Sequence, residues 1–324
     1  MNKIMQAVVL DKPTKAEDIR LSTVTVPEVR PGWVLVKIRA FGLNHSEQVL
    51  REFEIENDYI QKPIIPGIEC VGEIEDPSDS GLAKGQKVMA LMGGMGRSFN
   101  GSYAEYALLP VHHVFPVESE LSWAELAAVP ETYFTAWGSL FESLDLKPSD
   151  SLLIRGATCA LGYAAIQLAK ALGCRVVATT HRPAKLLLLR NAGADEVVLD
   201  TGVLADTLHG TGITKALELV GAKTVLDTLQ CIEKRGIVCH TGILGNVFVL
   251  NNFDPIKDIP NGVYLTGFFS NYPEPQTIQN LVEFLNSRKL NPYRGAEYSF
   301  SDICTALQDM DGHKVDGKIV VVVE

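Results

Sequence analysis

Short apolar runs broken by proline and glycine fill the first third of the chain. Val34–Ile38 (VLVKI) and Val88–Leu91 are of strand length, and Pro63, Pro66, Gly67, Gly72, Gly93, Gly94, Gly96 and Gly101 punctuate them. Runs of this kind bounded by turn residues predict a mostly β domain. From about Leu121 the pattern changes to alternating strand and helix. Ser151–Ala157 (SLLIRGA) predicts a buried strand, Ala160–Leu172 a helix stopped by Gly173, and Cys174–Thr180 (CRVVATT) the next strand. Pro183 to Ala192 predicts a helix with its proline in the first turn. Further strands are predicted at Glu196–Leu199, Lys215–Leu219, Gly236–Thr241 and Val263–Phe269, followed by an amphipathic helix from Pro275 to Ser287. The closing β run, Lys318–Val323, is assigned back to the first domain, which makes that domain discontinuous. Strand–helix alternation implies an α/β fold with a doubly wound parallel sheet and helices on both faces. The expected boundaries are residues 1–121 with 272–324 for the β-rich domain, and 122–271 for the parallel sheet.

Composition narrows the class. A chain of 324 residues fits two domains, and 46% hydrophobic with 21% charged residues is an ordinary globular balance. The net charge of −10, without long basic runs, argues against nucleic acid or an anionic membrane as the main partner. No apolar run reaches the ~18 residues of a membrane span, and Met1–Leu10 is too short an apolar segment for a secretory signal. The six cysteines are widely spaced without a CxxC, which reads as reduced, buried thiols in a cytoplasmic protein.

A candidate chemical signal is RGATCALGYAAIQLAKALG, Arg155–Gly173. A strand, a small-residue turn and a helix start form an anion site, because the first helical N–H groups are unpaired and the dipole is positive there. In a G-x-G-x-x-G spacing the positions are Ala157, Cys159 and Gly162, so only the last is glycine. A plain strand–helix turn is the bland alternative. The end of the next strand adds information. An NAD site places Asp or Glu there for the ribose, but Thr180, His181, Arg182 and Lys185 offer no acid and up to three cations. Cations at a helix start oppose the dipole; an anionic partner such as the 2′-phosphate of NADPH would explain them, since arginine binds phosphate bidentately.

The chain resembles the medium-chain dehydrogenase/reductase superfamily, and most closely its zinc-independent quinone oxidoreductase branch. The resemblance rests on AFGLNHSE (Ala40–Glu47), PGIECVGEIE (Pro66–Glu75), GSYAEYALLP (Gly101–Pro110), AAVPETYFTAW (Ala127–Trp137), AAIQLAKALG (Ala164–Gly173) and NAGADEVV (Asn191–Val198), in that order. It implies a GroES-like β-rich catalytic domain beside a Rossmann domain, with the active site in the cleft between them. The branch often carries A-x-x-G-x-x-G at the turn. Here Gly156, Cys159 and Gly162 stand in its pattern, with Cys159 a small departure that narrows the space near the pyrophosphate.

The resemblance also frames the metal question. Zinc-dependent members carry a cysteine and a histidine where this chain has Asn44 and Ile68, and they often add a four-cysteine lobe that is missing here. His45, Glu69, Cys70, His112 and His113 are donors without a tetrahedral spacing, so no metal is expected. His112 and His113, as neighbours on a strand, should face opposite ways.

The implied chemistry is hydride transfer from NADPH to a quinone or an α,β-unsaturated carbonyl, with the protein orienting the reactants and stabilising charge on the acceptor oxygen. Asn44 is the candidate catalytic residue, donating to that oxygen or fixing the cofactor; alternatively it caps its own backbone. Thr135 resembles the family's threonine by the nicotinamide, or else bonds the preceding helical turn. The cofactor set is Asn44, Thr135, Thr158, Cys159, Ala160, Leu161, Gly162, Thr180, His181, Arg182, Lys185, Gly242, Ile243, Phe268 and Phe269. Tyr59, Tyr133 and Tyr272 are conceivable proton donors but more often packing residues. Glu52–Lys62 and Met92–Asn100 read as flexible substrate loops. Family members are often homodimers, and VYLTGFF (Val263–Phe269) is apolar enough for a shared edge strand. Two rival readings remain: a zinc-dependent alcohol dehydrogenase-like enzyme, and a non-catalytic NADPH-binding sensor or structural protein.

Overall fold

The computed structural model describes residues 3–324. The strands in chain order are β1 (Ile4–Val8), β2 (Leu21–Thr25), β3 (Trp33–Gly42), β4 (Glu69–Asp76), β5 (Lys87–Leu91), β6 (Tyr106–Pro110) and β7 (Val114–Pro116). They continue with β8 (Ser151–Arg155), β9 (Arg175–Thr180), β10 (Glu196–Leu199), β11 (Lys215–Glu218), β12 (Ile237–His240), β13 (Tyr264–Gly267), β14 (Arg294–Ser299) and β15 (Lys318–Val322). Among the described residues two compact units result: residues 3–134 with 271–324, and residues 135–270.

The first unit is a mostly antiparallel sheet in the order β14-β15-β3-β4-β5-β7, with β6 also paired to β3 and a small β1–β2 ribbon. As the alternating pattern requires, Val34, Val36, Ile38 and Ala40 of β3 are buried. Phe41 stacks on Tyr103 at 4.9 Å and meets Phe300 edge-on at 5.8 Å, a geometry that adds to the area these rings bury. The terminal strand β15 lies between β14 and β3, so the chain does return to its first domain.

The sequence places residues 122–134 with the parallel sheet, but they lie in the first unit. The short helix Trp123–Ala127 packs against β3, β4 and β15, and its buried Ala124, Leu126 and Ala127 give it no reason to leave that core. Its start is a capping box, Ser122 accepting from the Glu125 N–H while Glu125 accepts from the Ser122 N–H.

The second unit is a six-stranded sheet in the order β10-β9-β8-β11-β12-β13, with every pair parallel. This is the doubly wound order, with the chain reversing direction across the sheet at β8 and β11. Ala160–Leu172 forms a helix as predicted, and Gly173 ends it at φ +103°. Several strands are shorter than predicted. SLLIRGA pairs only as far as Arg155, because Gly156 turns at φ +80° and begins the loop. Pro183 to Ala192 divides into a 3₁₀ turn, Pro183–Lys185, and the α-helix Leu186–Asn191.

Candidate active site

The candidate residues fall into two groups, one in each unit. In the first unit Asn44 stands at the N-cap of the helix His45–Glu52. Its backbone N–H donates to Glu47 Oε2 at 2.7 Å and its side chain faces the Glu47 N–H in a reciprocal capping box, so the capping role expected as the alternative is present. The Asn44 side chain also has charged partners. Lys318 Nζ donates to Asn44 Oδ1 at 2.5 Å, and Asn44 Nδ2 donates to Glu69 Oε1 at 2.9 Å. Lys318 Nζ also lies 2.5 Å from Glu69 Oε1, and Glu69 Oε2 accepts from the Glu131 N–H at 2.7 Å.

Lys318 is 2% exposed, Glu69 0% and Glu47 2%. Buried charge is costly unless paired and hydrogen-bonded, and these three groups are. Glu47 Oε1 accepts from the Ile68 N–H at 3.1 Å. Burial nevertheless pushes the Glu47 carboxyl up to about 7, with Glu69 adding repulsion and Lys318 pulling the other way. The sequence reading named Asn44 and treated Glu69 as structural but missed Lys318. The signal available was a lysine opening the apolar run KIVVVV.

Among the described residues no three His, Cys, Asp or Glu side chains come together as metal ligands. The donor chemistry agrees: one Glu69 oxygen faces the Lys318 ammonium, and the Cys70 thiol is pushed up by burial. His45 is exposed and its Nδ1 lies 3.0 Å from Gln48 Oε1. His112 and His113 do not diverge as strand neighbours would. They sit in the 3₁₀ turn Val111–His113 with ring centroids 4.3 Å apart, because a 3₁₀ turn lacks the two-residue alternation of a strand.

In the second unit the turn after β8 closes tightly. The Gly156 and Ala157 N–H groups donate to Thr179 Oγ1 at 3.1 Å and Thr179 O at 2.9 Å. Cys159 is the N-cap of the Ala160–Leu172 helix, and its Sγ accepts from the Gly162 N–H at 3.4 Å. The thiol therefore fills the position that serine usually takes as a cap. Gly162 is required by contact, since a β-carbon there would lie 2.2 Å from the Ala157 carbonyl oxygen. Thr158, Cys159, Ala160 and Leu161 are half-buried around this turn.

At the end of β9, Thr180 is buried, and its Oγ1 lies 3.2 Å from Thr158 Oγ1 and accepts from the Arg182 N–H at 3.2 Å. His181 and Arg182 are exposed beside it, and Lys185 is half-buried at the start of the following helix. Asp200 lies beside this strand end, its N–H donating to Thr180 O at 2.8 Å. Both its carboxylate oxygens turn to Arg155, at 2.8 and 3.0 Å. A ribose-binding carboxylate is thus not on offer from Asp200.

Thr135 is buried, and its carbonyl accepts from Ser139 Oγ at 2.7 Å. Ser139 Oγ lies 2.8 Å from Thr241 Oγ1, which neighbours Gly242 and Ile243. Gly242 is fixed by close approach, its absent β-carbon leaving room 2.3 Å from the Leu219 carbonyl oxygen. The Phe268 ring packs where a side chain on Gly138 would be, at 1.9 Å from that missing β-carbon, while Phe269 is exposed. Ser139 and Thr241 are polar groups that the sequence reading passed over. Tyr133 is buried with its hydroxyl accepting the Tyr293 N–H at 2.9 Å, whereas Tyr59 and Tyr272 are exposed.

The two loops read as flexible are instead tied together. Arg97 donates to Glu54 Oε2 and to Ser46 at 2.9–3.1 Å, and Ile55, Ile60 and Met95 are buried. Of the six thiols, Cys159 and Cys304 are half-buried and the other four are buried.

A six-stranded parallel sheet with a tight, glycine-dependent turn after β8, joined in sequence to a β-rich unit, is the fold of a nucleotide-binding dehydrogenase. Residues 30–119 match the family described as alcohol dehydrogenase GroES-like domain, and residues 160–287 the family described as zinc-binding dehydrogenase. The human quinone oxidoreductase is 27% identical over 333 residues, covering 99% of this chain and 98% of the relative. Among solved structures, AibC superposes with a TM-score of 0.88 at 24% identity, covering 100% of this chain and 97% of the other. A mycobacterial protein, Rv1454c, complexed with NADPH, superposes at 0.82 with 22% identity over 98% of this chain and 99% of its own. The chain belongs to the medium-chain dehydrogenase/reductase superfamily, and the relatives it resembles include quinone oxidoreductases. Among the described residues no helix is long and apolar enough to cross a membrane.

Proposed function

We propose that this protein is a zinc-independent reductase that uses NADPH to reduce a quinone or an α,β-unsaturated carbonyl. The observation that carries the cofactor preference is the end of β9, where Thr180, His181, Arg182 and Lys185 stand with no acid while Asp200 is bound to Arg155. In this reading the turn from Thr158 through Cys159, Ala160 and Leu161 to Gly162 holds the pyrophosphate, and the cations take the 2′-phosphate. Thr135, Gly242, Ile243, Phe268 and Phe269 surround the nicotinamide end. NADPH, when bound, supplies the hydride. Asn44 orients the acceptor or the nicotinamide, and the acceptor oxygen takes its proton from solvent. The name of the human relative supports the quinone class.

We further place the protein in the cytosol as a homodimer. The outer edge of β13 supports the second statement: Tyr264 there and Phe248, Val249 and Ile256 of the same unit are exposed, and an apolar edge of this kind favours pairing. A one-chain sedimentation mass at micromolar concentration would rule the dimer out.

The deciding experiment is a fluorescence titration of the protein with NADPH and with NADH, followed by turnover with a quinone and an enone. Tight NADPH with weak NADH and turnover supports the reading. Binding without turnover favours a sensor. Activity lost on chelation of stoichiometric zinc favours an alcohol dehydrogenase-like enzyme.

A further inference from the structure

We propose that Lys318 is a positioning residue for this chemistry, acting through Asn44: its ammonium fixes the Asn44 amide and leaves one N–H of that amide for a bound ligand. The proposal rests on the reading of Asn44 given above. It begins from the inventory of the amide. A lysine ammonium only donates and an ionised carboxylate only accepts. With Lys318 Nζ at 2.5 Å, the atom facing it must be the oxygen, and the Asn44 nitrogen must face Glu69 at 2.9 Å. The amide therefore has one orientation, set by charge on both sides.

The nitrogen carries two hydrogens. One is committed to Glu69. The other points toward Glu47 Oε1 at 3.4 Å, the outer limit of a hydrogen bond and a weak one. That second N–H is the exchangeable position. Asn44 is half-buried, whereas Lys318, Glu69 and Glu47 are buried, so Asn44 is the member of the cluster that reaches the surface. Donation by an ammonium to the amide oxygen draws density from the amide and strengthens its N–H groups as donors, since linked hydrogen bonds polarise one another.

The lysine reaches this point through a gap made for it. A β-carbon on Gly42, at the end of β3, would lie 2.2 Å from Lys318 Cε and 2.4 Å from Glu69 Oε1. Neutralising Glu69 needs only one contact, yet Nζ touches both Glu69 and Asn44.

The test is a double-mutant cycle on the full chain with Lys318→Met, Asn44→Ala and the double variant, measured with NADPH and phenanthrenequinone. If Lys318 acts through Asn44, Lys318→Met lowers kcat by roughly tenfold in the native background and by less than about twofold beside Asn44→Ala. Equal losses in both backgrounds overturn the proposal. A second readout needs no turnover. In protein labelled with ¹⁵N at asparagine, the two Asn44 side-chain protons should resonate apart, draw together in Lys318→Met, and the upfield one should move on ligand addition. If Lys318→Met does not fold, Lys318→Gln serves, because it keeps a polar side chain but brings no ammonium to Oδ1. Unchanged Asn44 resonances in the variant overturn the proposal, whereas failure of the wild type to bind NADPH, with the Lys318-dependent shift intact, overturns the cofactor reading instead.

Discussion

A β-carbon on Gly162 would stand 2.2 Å from the carbonyl oxygen of Ala157, and 2.6 Å from its Cα. Both neighbours are backbone, so neither can swing away as a side chain would. Gly162→Val should therefore push the start of the Ala160–Leu172 helix off β8, at a cost of about 1–3 kcal/mol in stability. It should weaken NADPH and NADH alike, by at least about tenfold, because both share the pyrophosphate. Fluorescence titration of each cofactor checks this, and retained affinity for either would show that the turn is not the anion site.

Arg182→Ala tests the other end of the same site. Arg182 is exposed and its Nε lies 3.4 Å from His181 Nε2. Its removal should cost little stability. NADPH binding should weaken by about 1.5–3 kcal/mol, the size of a hydrogen bond to a charged group, while NADH stays nearly unchanged. Equal losses for both cofactors would refute a phosphate clamp.

The strand–turn–helix frame from β8 to Gly173 was legible because it depends on local signals. Gly173 stops its helix at φ +103°, and Pro275–Ser287 forms a helix with the predicted ends. The misplaced boundary at residue 122 has a different cause. Nothing local in Trp123–Ala127 says that its apolar face will meet β3, β4 and β15. Lys318 was hidden for the same reason, since its partners Asn44 and Glu69 are brought to it only by the return of β15 beside β3. Cys159 illustrates a third limit. Its sequence position reads as a lost glycine, but the structure uses its sulfur as a helix cap.

Arg155 was read as part of a buried strand, and it is 0% exposed. Its guanidinium meets Asp200 at 2.8 Å and Asp227 at 2.6 Å, and also donates to Thr228 Oγ1 and the carbonyls of Thr224 and Gly202. Arg155→Met leaves those carboxylates without their cation and should cost about 3–5 kcal/mol, the usual price of breaking a buried pair. Arg155→Lys should recover only part of this, because one ammonium cannot span two carboxylates as the planar fork does. Urea unfolding midpoints of the two variants give the comparison. A lysine variant as stable as the wild type would mean that charge alone matters here.

Glu47 gives the stability of the protein a pH dependence whose sign can be worked out. Burial raises its carboxyl from 4.5 to about 7, against the pull of Lys318. The folded protein then holds this proton more tightly than the unfolded chain, so the contribution is complete below 4.5 and is lost as the pH rises through about 7. A shift of that size corresponds to roughly 3 kcal/mol. Glu47→Gln is neutral at every pH and removes the slope. It carries a constant penalty instead, because both Glu47 oxygens accept backbone N–H groups, from Asn44 and Ile68, and an amide NH₂ cannot. The stability advantage of the wild type over Glu47→Gln should therefore shrink by up to about 3 kcal/mol between pH 5 and pH 8, read from urea midpoints at the two values. An advantage that stays constant would mean that Lys318 already holds Glu47 ionised at pH 5, with the two backbone donors stabilising a carboxylate rather than an acid.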